Sequence, residues 1–324
     1  MTRKRGRHKP SAKRAPSAKK IFARLTAALV TAVTGWALWA GRQYGLFGGL
    51  FPNIGAEEAF ADVNGTSAFA EFIDVGQGDC TLIGSEGHYM LIDTGDRDAD
   101  DTVIKRLNAE GIVSLDYLIL THPHADHIGE AADIIEQFYV GEVIMPEVPE
   151  ELVPTSSVYE GLLDAAEARG IGFHKAADEH FTLGGCGFDT FAPRGEYDDL
   201  NDYSVIVRVT HGKNRFLITG DCEQAEEKEF LMRGAPLSAD VLKAGHHGSS
   251  SSSSAEFLAA VSPTYTVISC GRDNDYGHPH EEALTRIRKF SPRVYITAEV
   301  GSVRFDSDGE ELRVIRNYEF GMRN

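Results

Sequence analysis

Cysteine is scarce and poorly spaced for metal binding. Cys80, Cys186, Cys222 and Cys270 are the only four in 324 residues, and no two form a CxxC pair, which argues against a thiolate zinc knuckle. Four thiols in an exported domain permit two disulfides, but their spacing pairs none of them. Positive charge is missing from most of the chain as well. Ten of the 32 Lys and Arg fall in residues 1–24, which hold no acid, and the other 22 face 49 acidic residues, a balance of −27. Such a surface repels polyanions at long range, so a nucleic-acid substrate needs a local groove or metal contacts rather than bulk attraction. Internal repeats are absent. The one low-complexity patch, residues 249–254, is six serines and reads as a flexible loop.

What is present begins with the basic arm, residues 1–24, rich in Lys, Arg, Pro, Ser and Ala, with little to bury and the composition of a disordered cytoplasmic segment. Residues 25–41, LTAALVTAVTGWALWAG, then run 17 positions without a charge, with Trp36 and Trp39 suited to an interface. The positive-inside rule keeps the arm in the cytoplasm and puts the body outside, as a single-pass membrane protein. Secretion after signal cleavage is the alternative. Its A-x-A candidate, residues 59–61, stands about twenty residues beyond the apolar stretch, far for a signal peptide. Residues 42–66 read as a linker, and residues 67–324 as one domain.

Within that domain, short apolar runs bounded by Gly and Asp read as strands: AFAEFIDV, HYMLIDTG, LDYLILTH, GEVIMPE, YSVIVRVTHG, NRFLITGD, TYTVISCG and RVYITAE. Helical periodicity lies between them at 102–109, 128–138, 157–169, 223–232, 255–260 and 281–290, so the layout is mixed α/β.

The stretch THPHADHIG crowds His122, His124, Asp126 and His127 into six positions after a buried strand. Neutral imidazoles desolvated together without partners are costly, and a metal ion is the simplest remedy. His122 and His124 alternate on the turn, while Asp126 and His127 open the next helix, so two ligand sets face one point. A mononuclear zinc needs three protein ligands and an open position, whereas a two-metal site needs a bridging carboxylate. NRFLITGDC offers Asp221 at a strand end, and ADVLKAGHHGS offers His246 and His247. Taken singly, Asp221 also reads as a helix N-cap and the His pair as loop residues.

In this order, HxHxDH, TGD and a strand-end His resemble the metallo-β-lactamase superfamily. FIDVGQGDC, LIDTG, NDYSVIVRV, LITGDCE, LKAGHHGSSSS and YGHPH further resemble one branch, the C-terminal hydrolase domain of ComEC-type competence membrane proteins, across residues 68–305. That family's multi-span portion has no counterpart, and one predicted span stands in its place. The resemblance implies a four-layer αββα sandwich with metals at one edge of the facing sheets. Two divalent ions, Zn²⁺ or Mn²⁺, are implied: one on His122, His124 and Asp221, the other on Asp126, His127, Asp221 and His246 or His247. His247 is favoured because it directly precedes Gly248, leaving His246 to face substrate.

One departure stands out. Ser204 occupies the place where the superfamily usually offers a third imidazole to the first metal, which favours a harder ion such as Mn²⁺ with water or Ser204 filling the position. His211, at the far end of its strand, is not expected to ligate. The implied chemistry is attack by a metal-bound hydroxide, with Asp126 orienting the nucleophile and His278 protonating the leaving group or holding phosphate; a structural histidine in a Gly-Pro turn is the competing role for His278. Asp126, His246 and His278 are thus the catalytic candidates, and Ser204, His246 and His278 the substrate-binding ones. Asp74 and Asp93 read as supporting groups, Cys80 and Cys222 as small packing residues. The function implied is an extracytoplasmic, membrane-anchored phosphodiesterase or nuclease, with single-stranded DNA as a candidate substrate. Hydrolysis of smaller or cell-surface phosphoesters and a non-catalytic metal-binding module are the alternatives. No protein partner can be read from the sequence.

Overall fold

The computed structural model describes residues 67–97 and 101–316. The expected arm, apolar span and linker lie outside the described residues, and among the described residues no helix is long and apolar enough to cross a membrane.

The chain first lays down β1 (Ala68–Phe72), β2 (Thr81–Ser85), β3 (His88–Ile92), β4 (Ser114–Ile119), β5 (Tyr139–Met145) and β6 (Phe173–Lys175). It then builds β7 (Glu179–Leu183), β8 (Cys186–Phe191), β9 (Ile206–His211), β10 (Asn214–Ile218), β11 (Val241–Lys243), β12 (Tyr265–Ile268) and β13 (Arg293–Ile296). Finally β14 (Val303–Ser307) and β15 (Leu312–Arg316) return to the first sheet. The two sheets run β15-β14-β1-β2-β3-β4-β5-β6 and β13-β12-β11-β10-β9-β8-β7.

Parallel neighbours need a crossover, and a helix supplies each one. In the first sheet α1 (Thr102–Ala109) links β3 to β4, α2 (Ala125–Ile128) and α3 (Ala131–Gln137) link β4 to β5, and α4 (Ser157–Arg169) links β5 to β6. In the second, α5 (Gln224–Met232), α6 (Ala255–Val261) and α7 (Glu281–Phe290) join the parallel run β10 to β13, and α8 (Thr297–Val300) follows it.

Strand side chains alternate faces, so consecutive apolar residues feed different cores. On β10, Phe216 and Ile218 enter the cluster between the sheets with Phe72, Met90 and Phe305, while Leu217 joins the helices of the second sheet at Phe230 and Phe257. On β4, Ile119 faces the partner sheet and Leu118 packs toward Leu107, Ile134 and Leu162. These three cores give the helix-sheet-sheet-helix layering that the resemblance implies.

Several local expectations change. The helix anticipated over 128–138 is broken after Ile128. A Cβ on Gly129 would lie 2.2 Å from the Arg97 nitrogen, and the Gly129 N–H instead donates to Gly95 O at 2.8 Å. β2, β6, β7, β8, β14 and β15 carry too few alternating apolar residues, or too much Gly and charge, to be picked out beforehand. The serine run is no loose loop. Ser252 and Ser253 are buried, Arg286 donates to the carbonyls of Ser250, Ser252 and Ser253, and Glu227 accepts from the amides of Ser253 and Ser254. All four cysteines are buried and unpaired.

Candidate metal centre

The C-terminal ends of β3, β4, β10 and β11 converge on one edge, where open α/β sheets generally bind ligands. β3 runs into Asp93, β4 into Thr121 and His122, β10 into Asp221, and β11 into His246 and His247. Tight turns aim these side chains. Gly220 has φ +49°, and a Cβ there would sit 2.6 Å from Thr121 Oγ1. His246 and His247 also take left-handed backbone, φ 44° and 51°, a strained state for bulky residues that concentrates at functional sites.

Asp221 Oδ2 is the hub. It lies 3.3 Å from His127 Nε2, 3.4 Å from His247 Nε2, and 3.9 Å from the Nε2 atoms of both His122 and His246. Asp126 Oδ2 approaches His247 Nε2 at 3.2 Å. Bonds of about 2.0–2.1 Å at tetrahedral angles put neighbouring ligand atoms about 3.3–3.4 Å apart. Asp126, His127, His247 and Asp221 therefore outline a pocket of the right size for a divalent ion. His127 Nε2 and His247 Nε2 are buried without hydrogen-bond partners, as ligand atoms awaiting a cation should be.

Supporting bonds fix which nitrogen faces inward, an arrangement typical of metal-binding histidines. His127 Nδ1 pairs with Asp93 Oδ2 at 2.9 Å, and His247 Nδ1 donates to Ser269 O at 2.9 Å. Asp93 also accepts from the Thr121 amide and hydroxyl, both at 2.7 Å. His122 Nε2 and His124 Nδ1 face each other at 2.9 Å and form the second lobe with Asp221. His124 joins no larger ligand cluster among the described residues. This lobe is thus the less complete of the two.

Protonation reports the same demand for positive charge. Burial opposes a charged His127 or His247, yet the Asp221 carboxylate, with Asp93 and Asp79, outweighs it and lifts both imidazoles well above their ordinary range. Burial likewise works against the Asp221 and Asp126 carboxylates, but the His247 and His127 imidazoles hold both groups below the usual range. His122 goes the other way, lowered by burial and by neighbouring His127.

The other candidates take varied places. Ser204 is fully buried, its Oγ accepting the Asp221 N–H at 3.0 Å and standing 3.4 Å from His122 Nδ1, the nitrogen turned away from the centre. The expectation that Ser204 touches substrate or fills a metal position therefore meets a hydroxyl sealed behind two ligands, which it steadies. His246 is part-exposed, its Nδ1 on Glu223 Oε1 at 2.7 Å and its Nε2 toward the centre. His278 rests 5.3 Å from the His246 ring, half-buried, and burial with the adjacent His247 and His246 pushes it down to about 4. His211 ends β9, bonded to Ser307 and Ser67, on the order of 20 Å of strand from Ser204. Asp74 binds Ser302 and Gly76, apart from the ligand clusters.

Asp79, Lys243 and Glu223 are site residues that pattern reading missed. Asp79 is buried 3.4 Å from His247 Nδ1 and paired with Lys243, whose Nζ donates to Gly220 O at 2.9 Å and lies 3.8 Å from Asp221 Oδ1. One signal was available in the sequence: Lys243 is a lone charge in the apolar run VLKAG.

The chain is similar to several known proteins. ComE operon protein 3 of Bacillus subtilis (strain 168) is 30% identical over 255 residues, 72% of this chain and 32% of its own length. Competence protein ComA of Neisseria gonorrhoeae is 33% identical over 253 residues, 76% of this chain and 34% of its own. The chain spans about a third of the length of these relatives. Among solved structures, the metallo-beta-lactamase fold protein YhfI from Bacillus subtilis superposes with a TM-score of 0.49 at 14% identity, covering 73% of this chain and 99% of that one. The pattern of the Metallo-beta-lactamase superfamily matches residues 73–272, a span that holds every candidate ligand of the centre, and the chain belongs to that superfamily.

Proposed function

We propose that this superfamily hydrolase is a metal-dependent phosphodiesterase acting on polynucleotide strands, held at the membrane by residues 25–41 with its catalytic domain outside the cytoplasm. The observation that carries the reading is the single oxygen, Asp221 Oδ2, facing both lobes of the centre at 3.3–3.9 Å. A carboxylate so placed could serve two ions at once, and two-ion sites suit in-line displacement at phosphorus. Bound divalent ions, Zn²⁺ or Mn²⁺, would polarise the phosphoryl oxygen and acidify the attacking water. Asp126, the most solvent-facing carboxylate of the set at 25% exposure, orients the nucleophile at the open side. His246, with Nδ1 committed to Glu223, presents Nε2 to the cleft and is the group to hand a proton to the leaving oxygen. His278, neutral at physiological pH, contacts substrate without adding charge. The relatives Competence protein ComA of Neisseria gonorrhoeae and Recombination protein 2 of Haemophilus influenzae support a nucleic-acid substrate.

The test uses the purified chain with Mn²⁺ or Zn²⁺ on bis-p-nitrophenyl phosphate and on single-stranded DNA. Cleavage of both that stops with EDTA is expected. Both substrates left intact by a metal-loaded protein would end the proposal. For topology, protease added to whole cells should remove the domain, whereas protection until lysis would place it inside.

A further inference from the structure

The rim beside the centre carries an aromatic step that the chemistry above leaves unused. Tyr276 is 66% exposed, among the most exposed large apolar side chains described. Its inner face stacks on His278, with ring centroids 5.6 Å apart and planes 17° from parallel. His278 in turn sits 5.3 Å from the ring of His246 and 6.0 Å from that of His247. A short ladder of rings therefore leads from solvent to the ligands, and its outermost face is open.

The loop presenting this ring is braced. Asn274 donates through Nδ2 to Gly271 O at 2.9 Å and His278 O at 2.7 Å, and accepts the His278 N–H at 2.9 Å. His280 accepts the Ser250 amide at 2.9 Å and bonds Tyr276 O at 3.2 Å. Ordering cost is thus met before any ligand arrives.

Charge decides what this step is for. The chain beyond residue 24 carries −27, and Asp273 and Asp275 precede Tyr276 in its loop, so phosphate recognition by long-range attraction is disfavoured here. A flat aromatic face, by contrast, binds any nucleobase through stacking that needs no cation. We infer that Tyr276 is a stacking platform for a base of a single-stranded polynucleotide, seating the adjoining phosphate at the metal centre. This rests on the phosphodiesterase reading and makes that substrate a strand with bases rather than a small phosphoester.

The experiment compares wild type, Tyr276→Phe and Tyr276→Ala, all full chain and Mn²⁺-loaded, on a short single-stranded oligonucleotide and on a fully abasic strand of the same length. Wild type and Tyr276→Phe should cleave the base-bearing strand with kcat/KM roughly 10-fold higher than the abasic one, a ratio set by one stacked base. Tyr276→Ala should bring that ratio to about one through loss of cleavage of the base-bearing strand. A ratio that persists in Tyr276→Ala, or a wild type indifferent to bases, overturns the platform while leaving the phosphodiesterase reading intact. Failure of wild type to cut either strand while holding metal overturns both. A second readout is salt: stacking beside one phosphate at the metal centre predicts a log-log slope of binding no steeper than about −0.7, the value for one neutralised phosphate, and a steep slope would overturn the platform in favour of a basic groove.

Discussion

Lys243 and Asp79 form an ion pair closed to solvent directly behind His247 and Asp221. Burial works against the Asp79 carboxylate, yet the Lys243 ammonium and then His247 outweigh it and hold the group below its usual range. Removing the cation leaves Asp79 and Asp221 unshielded from each other. Lys243→Met should therefore cost about 3–5 kcal/mol, because a buried charge left without its partner is far more damaging than the loss of the pair. Adding Asp79→Asn should recover part of that loss. Urea titrations in EDTA measure both, and no recovery in the double variant would reduce Lys243 to packing.

Asp93 should act on metal affinity rather than on fold. Its carboxylate holds His127 Nδ1 at 2.9 Å and the Thr121 amide and hydroxyl at 2.7 Å, which sets the direction of His127 Nε2. The backbone there is left-handed, φ +58°, a conformation asparagine tolerates well. Asp93→Asn should keep the structure and weaken metal binding by roughly 10- to 100-fold, as loss of a supporting carboxylate generally does. Competition against a chelator reads the change, and an unaltered affinity would remove Asp93 from this role.

How far the sequence spoke depended on how local each signal was. HxHxDH condenses four candidate ligands into one turn, and the long apolar strands and helices over 102–109, 157–169 and 281–290 carry their own periodicity, so these are readable directly. Asp79 was not, because its partners Lys243 and His247 lie more than 160 positions away and only sheet pairing brings them together. The serine run failed for a related reason. Composition suggests a loose loop, but Arg286 and Glu227, on two different helices, bind its backbone. Ser204 was found by its place in a motif, and only its hydroxyl's direction shows that it steadies His122 and Asp221 from behind.

Glu226 sets a pH dependence of stability. It is wholly buried with both carboxyl oxygens lacking a hydrogen-bond partner, and burial, then neighbouring Asp202, pushes it well above the usual carboxyl range. Above about pH 4.5 the unfolded chain releases this proton while the folded one keeps it, so the native state binds more protons and stability falls as pH rises. Glutamine mimics the protonated group and titrates in neither state. Glu226→Gln should thus match wild type near pH 4.5 and exceed it increasingly toward pH 8, by at most about 1.4 kcal/mol per pH unit. Urea midpoints at several pH values test this. A gap that does not widen with pH would mean that Glu226 is ionised in the fold.

His246 and His247 are neighbours with opposite assignments, and their shared left-handed backbone makes them a matched pair for substitution. His247 Nε2 lies within 3.2–3.4 Å of Asp126 and Asp221 and is buried without a partner, whereas His246 Nε2 is 3.9 Å from Asp221 on a part-exposed ring steadied by Glu223. A ligand and a proton donor should fail differently. His247→Ala should lose an equivalent of metal. His246→Ala should keep its metal and lose turnover by roughly 100-fold or more, the scale of general acid catalysis. The strain of a positive φ is common to both sites and cancels between them. Metal content of the two dialysed variants, read beside their activity, decides the matter: loss of metal only in His246→Ala would exchange the two roles.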